Sequence, residues 1–167
     1  MSSAFVLLSD ETLAAPASSM TAVLDTDYRM FRVTFYAVKD ATDGTVSLRL
    51  NADSGANYAY QDITADSTTV DGARVTGATA IVLDTDGLVD GSSAALFTVE
   101  VNKPLTTTPA RTTSTASYMQ ATGPAINYEA VVGEWANTAD LIDEITVLAS
   151  AGSFAIGTRC VIEGAQP

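Results

Sequence analysis

Residues 29–51 read RMFRVTFYAVKDATDGTVSLRLN. In the first ten, Phe31, Val33, Phe35 and Ala37 recur at every second position, so an extended chain puts them all on one face. Aromatic and β-branched residues fill the run, which predicts a strand with that face buried. Val46, Leu48 and Leu50 then alternate with Ser47, Arg49 and Asn51, the pattern of an antiparallel strand wet on one side. Asp43-Gly44 between the two runs is a short turn signal, and the stretch reads as a hairpin.

The same grammar extends in both directions. Strands are predicted near Ala4–Leu8, Tyr58–Ile63, Ala80–Leu83, Ala94–Val101, Thr112–Gln120, Tyr128–Gly133, Leu141–Ala149 and Thr158–Glu163. Asp53-Ser54-Gly55, the Asp-Gly pairs at 71–72, 86–87 and 90–91, Pro104, Pro109, Gly123-Pro124 and Gly152 punctuate them. Short strands at this spacing predict an all-β fold, a single antiparallel β-sandwich, jelly-roll-like, with about eight to ten strands. One domain over 1–167 is expected, with a short N-terminal segment over about 1–27 available for anchoring.

The 27 alanines could suggest helix around Thr12–Val23, but Pro16 and two serines interrupt that stretch, so it is read as at most one short helix or turn. The 23 threonines favour the pleated surface instead. Leu105–Ser117, LTTTPARTTSTAS, reads as a surface loop feeding an exposed Thr-rich strand.

Twenty acidic and eight basic residues leave a formal charge of −12. That field repels polyphosphate and anionic membrane, so no nucleic-acid partner is expected. The single cysteine, Cys160, lies in an apolar strand pattern and reads as a small hydrophobe. The N-terminal run has no basic region before it and no segment approaches the length of a membrane helix, so neither a signal peptide nor a membrane span is expected.

The chain has no histidine, which removes Ser-His and Cys-His catalysis, and it has no phosphate-loop, dinucleotide or Cys-x-x-Cys spacing. No cofactor and no enzymatic activity are expected. Paired carboxylates remain as a third option, with Glu100, Glu129, Glu134, Asp143 and Glu144 in or beside predicted strands and read as solvent-facing. Asp84, Asp86 and Asp90 cluster around Gly87 in a spacing that misses the EF-hand loop. They read as turn-forming aspartates in preference to calcium ligands. Asn51–Tyr58, NADSGANY, reads as Asx-turn chemistry in the same way. Tyr58 and Tyr60 share one strand face, and Trp135 lies at a predicted strand end. These three rings are the candidate platform for a host-surface glycan.

Two segments carry a resemblance. Leu141-Ile142, Ile145 and Val147, then Gly152-x-Phe154-x-x-Gly157-Thr158-Arg159, then Val161-Ile162 and Gly164, resemble the C-terminal signature of small β-sandwich proteins encoded among the structural genes of tailed bacteriophages. That signature commonly ends on a Leu-Tyr-Gly-like triplet, where this chain has Ile162-Glu163-Gly164. Tyr28–Phe35 and Leu48-Arg49-x-Asn51-x-Asp53-Ser54-Gly55-x-x-Tyr58 look like the central hairpin of the same family. The resemblance implies a non-enzymatic jelly-roll-like protein of the virion surface, made in the host cytoplasm, as capsid decoration, head fibre or tail-fibre tip. It carries no catalytic residues.

The first strand signal begins about five residues after Met1, which favours a module seated directly on a shell or a partner fibre over the tip of a long shaft. Phe5, Val6, Leu7 and Leu8 are the candidate anchoring residues. Tyr36, beside Phe35, makes the strand at 29–38 aromatic on both faces and motivates a homo-oligomer, a trimer in first preference. A free carbohydrate-binding module built on Tyr58, Tyr60 and Trp135 is the alternative from a different class, and a two-carboxylate glycosidase the third.

Overall fold

Each of the ten predicted positions holds a strand, and two more strands join them. The computed structural model describes residues 4–166 apart from 26, 41–43, 67, 86–93, 104–106 and 120–125. Its strands are β1 (Val6–Thr12), β2 (Ser19–Val23), β3 (Met30–Val38), β4 (Val46–Leu50), β5 (Tyr58–Asp66), β6 (Thr69–Ala78), β7 (Ile81–Val82), β8 (Ala94–Asn102), β9 (Ala110–Met119), β10 (Ile126–Trp135), β11 (Glu144–Ala149) and β12 (Arg159–Ala165). All pairings between them are antiparallel.

Two sheets form, one in the order β1-β12-β3-β8-β9-β10-β5-β6 and one in the order β2-β11-β4-β7. Four strands of the first, β1-β12-β3-β8, pack on the four of the second, and the chain passes from one sheet to the other at nearly every step. That is the strand order of a jelly roll. The other four strands are two hairpins inserted into it, β5-β6 between β4 and β7 and β9-β10 between β8 and β11. They join outside β8 and double the width of one sheet.

The alternating residues of 29–38 set the core. Phe31, Val33, Phe35 and Ala37 are buried, together with Phe97 and Val99 of β8, Leu48 and Leu50 of β4, and Ile145 and Val147 of β11. Phe154 closes one end, its ring edge-on to Phe35 with centroids 5.0 Å apart. Cys160 is buried in this core, and burial pushes its thiol up to about 12, so it behaves as the small hydrophobe the sequence suggests.

The hairpin expected over 29–51 is instead a crossing between the sheets. β3 pairs with β12 and β8, whereas β4 pairs with β11 and β7, so the chain changes sheet between Val38 and Val46; Asp43 of the turn signal lies outside the described residues. Gly44 is needed there for closeness: a Cβ on it would lie 2.6 Å from Lys39 Nζ and 3.0 Å from the Ala151 nitrogen. The terminal loop likewise runs from β11 in one sheet to β12 in the other, with Gly152 and Gly157 at φ of 66° and 90° on either side of Phe154. Turn residues fix local dihedrals and say nothing about which sheet receives the chain.

The stretch Thr12–Val23 contains no helix. It ends β1 and forms β2, whose Met20 is buried against the core. Within the expected N-terminal segment, Val6–Thr12 pairs with β12 and Ser19–Val23 with β11. Among the described residues no helix is long and apolar enough to cross a membrane.

Candidate functional site

The three candidate rings do not make a platform. Tyr58 and Trp135 are opposite one another in the β5–β10 register and both point inward, 1 % and 0 % exposed. Neither offers a face to a ligand, and Tyr60 is half-buried on the same side. What Tyr58 and Trp135 do instead is hold the loop at 51–58. Trp135 Nε1 donates to Asp53 Oδ2 at 2.7 Å, and the Tyr58 hydroxyl accepts from the Leu50 N–H at 3.1 Å while reaching the Asp53 carbonyl at 3.1 Å.

Asp53 also accepts from the Gly55 N–H and from Asn57 Nδ2, which is the expected Asx turn. The Trp135 hydrogen bond, then that of Asn57, holds its carboxyl below the usual range. Lys103 Nζ lies 4.8 Å from the centre of the Trp135 ring and donates to the Asn137 carbonyl at 2.7 Å.

Nor do the strand acids Glu100, Glu129 and Glu134 gather on one face. Glu100 and Glu134 lie on the outer face of the large sheet, bonded to Arg32 at 3.2 Å and Arg111 at 3.1 Å. Glu129, expected to face solvent, points to the opposite face and is fully buried. The reason lies one residue earlier: Tyr128 turns outward, 47 % exposed, and alternation sends Glu129 in. Both oxygens of Glu129 accept from the Thr85 N–H, at 3.1 and 3.0 Å, and Oε1 also accepts from the Thr85 hydroxyl at 2.8 Å. Burial, reinforced by the charges of Asp84 and Asp62, pushes its carboxyl up to about 7 against the lowering effect of Thr85.

Glu129 belongs to a polar end of the interior that the sequence does not announce. Asp62 and Thr64 of β5 and Thr112 and Ser114 of β9 face the same way and are buried, and Asp84 is buried over them. A cavity of about 430 Å³ opens beside them, lined by Asp62, Thr64, Thr69, Asp71, Gly72, Ala73 and Thr85. The Tyr60 hydroxyl borders this end, its pKa raised by burial and by the charges of Asp62 and Glu129. Asp86 and Asp90 lie outside the described residues, so of the aspartate-rich turn only Asp84 is placed.

A second candidate surface is the outer face of the large sheet. Tyr36, Leu96, position 117, Tyr128 and Ala65 stand in one cross-strand row, and Thr34, Thr98, Thr115, Ala130 and Ile63 in the next. None of these ten positions is charged. Tyr36, Leu96, Tyr128 and Ile63 are 45–54 % exposed. Toward the other end of the face Phe5, Met30 and Val132 flank an apolar groove of about 290 Å³, and the Arg32 guanidinium lies 4.4 Å from the Phe5 ring centre.

Of the four anchoring candidates, Phe5 borders that groove. Val6 and Leu7 are 51 % and 58 % exposed along β1, at the edge of the sheet, whereas Leu8 is half-buried under Gly164. Compared with family models, curated proteins and solved structures, the chain matches none of them.

Proposed function

We propose that this chain is a non-enzymatic structural protein of the tailed-bacteriophage virion surface, a capsid decoration or head-fibre module that assembles with copies of itself. The observation that carries the reading is the uncharged patch that two cross-strand rows make on the outer face of the large sheet. A chain of charge −12 repels its own copies, and association must use a surface from which charge is missing. The rows from Tyr36 to Ala65 and from Thr34 to Ile63 supply one, in register across β3, β8, β9, β10 and β5. The unpaired side of β1, with Val6 and Leu7 exposed, supplies an edge to which a strand of a shell or fibre partner can add.

Light scattering after size exclusion tests the self-association. The wild-type chain elutes as an oligomer, with a trimer the favoured state, and the Tyr36→Glu, Leu96→Glu double variant elutes as a monomer with an unchanged circular dichroism spectrum. A wild-type monomer at micromolar concentration overturns the reading. Mass spectrometry of purified phage particles tests the location, and absence of the chain from particles whose genome encodes it contradicts it.

A further inference from the structure

We propose that the polar end of the interior binds a hard divalent cation, calcium, at the Asp62 side of the cavity between β5, β6 and Thr85. The proposal stands apart from the virion reading.

Asp62 is 4 % exposed, lines the cavity, and its Oδ1 has no hydrogen-bond partner. A buried carboxylate oxygen left without a donor costs free energy that a bound cation recovers. The lining offers only oxygen ligands: the carboxylates of Asp62 and Asp71, the hydroxyls of Thr64, Thr69 and Thr85, and the backbone at Gly72 and Ala73. No lysine or arginine is among the described residues lining it. Oxygen-only donor sets select hard cations, and the ion must come from solution because the described wall brings no cation of its own.

One further carboxylate raises the negative potential, since Asp84 is also buried at this end. Among the described residues no three acidic side chains close to metal-ligand distance, so the ion keeps part of its water shell, for which the cavity has room. Calcium tolerates such an irregular shell, whereas magnesium requires near-octahedral geometry. The affinity expected of a site with one committed carboxylate is in the weak class, about 10⁻⁴–10⁻³ M.

Calorimetric titration of the full chain with calcium chloride at fixed neutral pH tests this, with terbium luminescence excited through Tyr60 as the local probe. Expected are a stoichiometry of one, a terbium signal that calcium competes away, and little response to magnesium. Asp62→Asn, folded by circular dichroism, weakens binding by about tenfold or more, given that even outer-shell ligand partners are worth 10–100-fold. Asp71→Asn weakens it several-fold, and Glu163→Gln on the outer face leaves it unchanged.

The absence of heat and terbium signal from the wild-type chain overturns the proposal. So does a binding curve that Asp62→Asn leaves in place, which would assign the ion to surface acids. Should Asp62→Asn fail to fold, Asp71→Asn and Thr64→Val carry the test, and wild-type affinity in both overturns it.

Discussion

The large sheet has two halves with opposite interiors. Beneath β1-β12-β3-β8 the facing residues are Phe31, Val33, Phe35, Phe97, Val99 and Ile162, and the second sheet seals them. Beneath β9-β10-β5-β6 they include Thr112, Ser114, Glu129, Asp62 and Thr64. The first half is the jelly roll, and apolar burial explains why it closes. The second half is an insertion, and part of its interior is made of groups that cost free energy to bury unless something answers them. The contrast assigns stability to one half and chemistry to the other.

The largest effect that could break this contrast is in the dry half. Phe35→Ala removes a ring that touches Phe97 and Phe154 and should cost about 3–5 kcal/mol in urea unfolding. A loss near 1 kcal/mol would mean that the jelly-roll interior is not the sealed core described.

In the polar half the sign reverses. The Glu129 carboxyl rises from the usual 4.5 to about 7 on folding, so the folded chain holds a proton there that the unfolded chain gives up. Its contribution to stability is fully present below pH 4.5 and is lost as the pH rises through 7, of the order of 3 kcal/mol in all. Asp53, shifted downward, acts only in the acid below its usual 3.8 and leaves this window alone. Urea midpoints measured with chelator from pH 5 to pH 8 should fall for wild type and stay flat for Glu129→Gln. A wild-type midpoint that rises over that range contradicts the burial of Glu129.

Trp135 is the joint between the halves, since it ends β10 and bonds to the Asp53 loop that follows β4. Trp135→Phe keeps most of the ring and leaves the Asp53 carboxylate one donor short, a cost of about 2 kcal/mol. Equal stability of the two proteins would detach Asp53 from the joint. The smallest effect is on the surface. Arg159 and Asp10 form a two-bond pair at 2.8 and 2.7 Å between β12 and β1, but it is exposed, and Arg159→Ala should leave the urea midpoint unchanged within error.

The sequence makes the dry half legible and the polar half much less so. Strands β3, β8 and β11 alternate because one face is sealed and the other more open, and alternation is what a sequence displays; β4 alternates in sequence too, but its second face is covered as well, with Ser47 buried and Arg49 half-buried. β6 escapes that reading because it is an edge strand exposed on both faces, and its Asp71-Gly72, which reads as a turn, lies within the strand. β2 escapes because it is five residues long behind Pro16 in an alanine-rich stretch.

At the polar end the hydropathy pattern inverts, with Tyr128 outside and Glu129 inside, and Ile63 outside between buried Asp62 and Thr64. Periodicity still gives the period there and assigns the wrong face. For Tyr58 and Trp135, an aromatic near a strand end reads equally as core or platform, and only the position of Asp53 decides it.

Hydrogen exchange read strand by strand tests the two-half account most directly. Amides of β3, β12, β8, β11 and β4 should exchange slowest, through global unfolding, while those of β5 and β6 open at lower free energy and exchange measurably faster. Uniform protection across all twelve strands, or slowest exchange in β5 and β6, would contradict it.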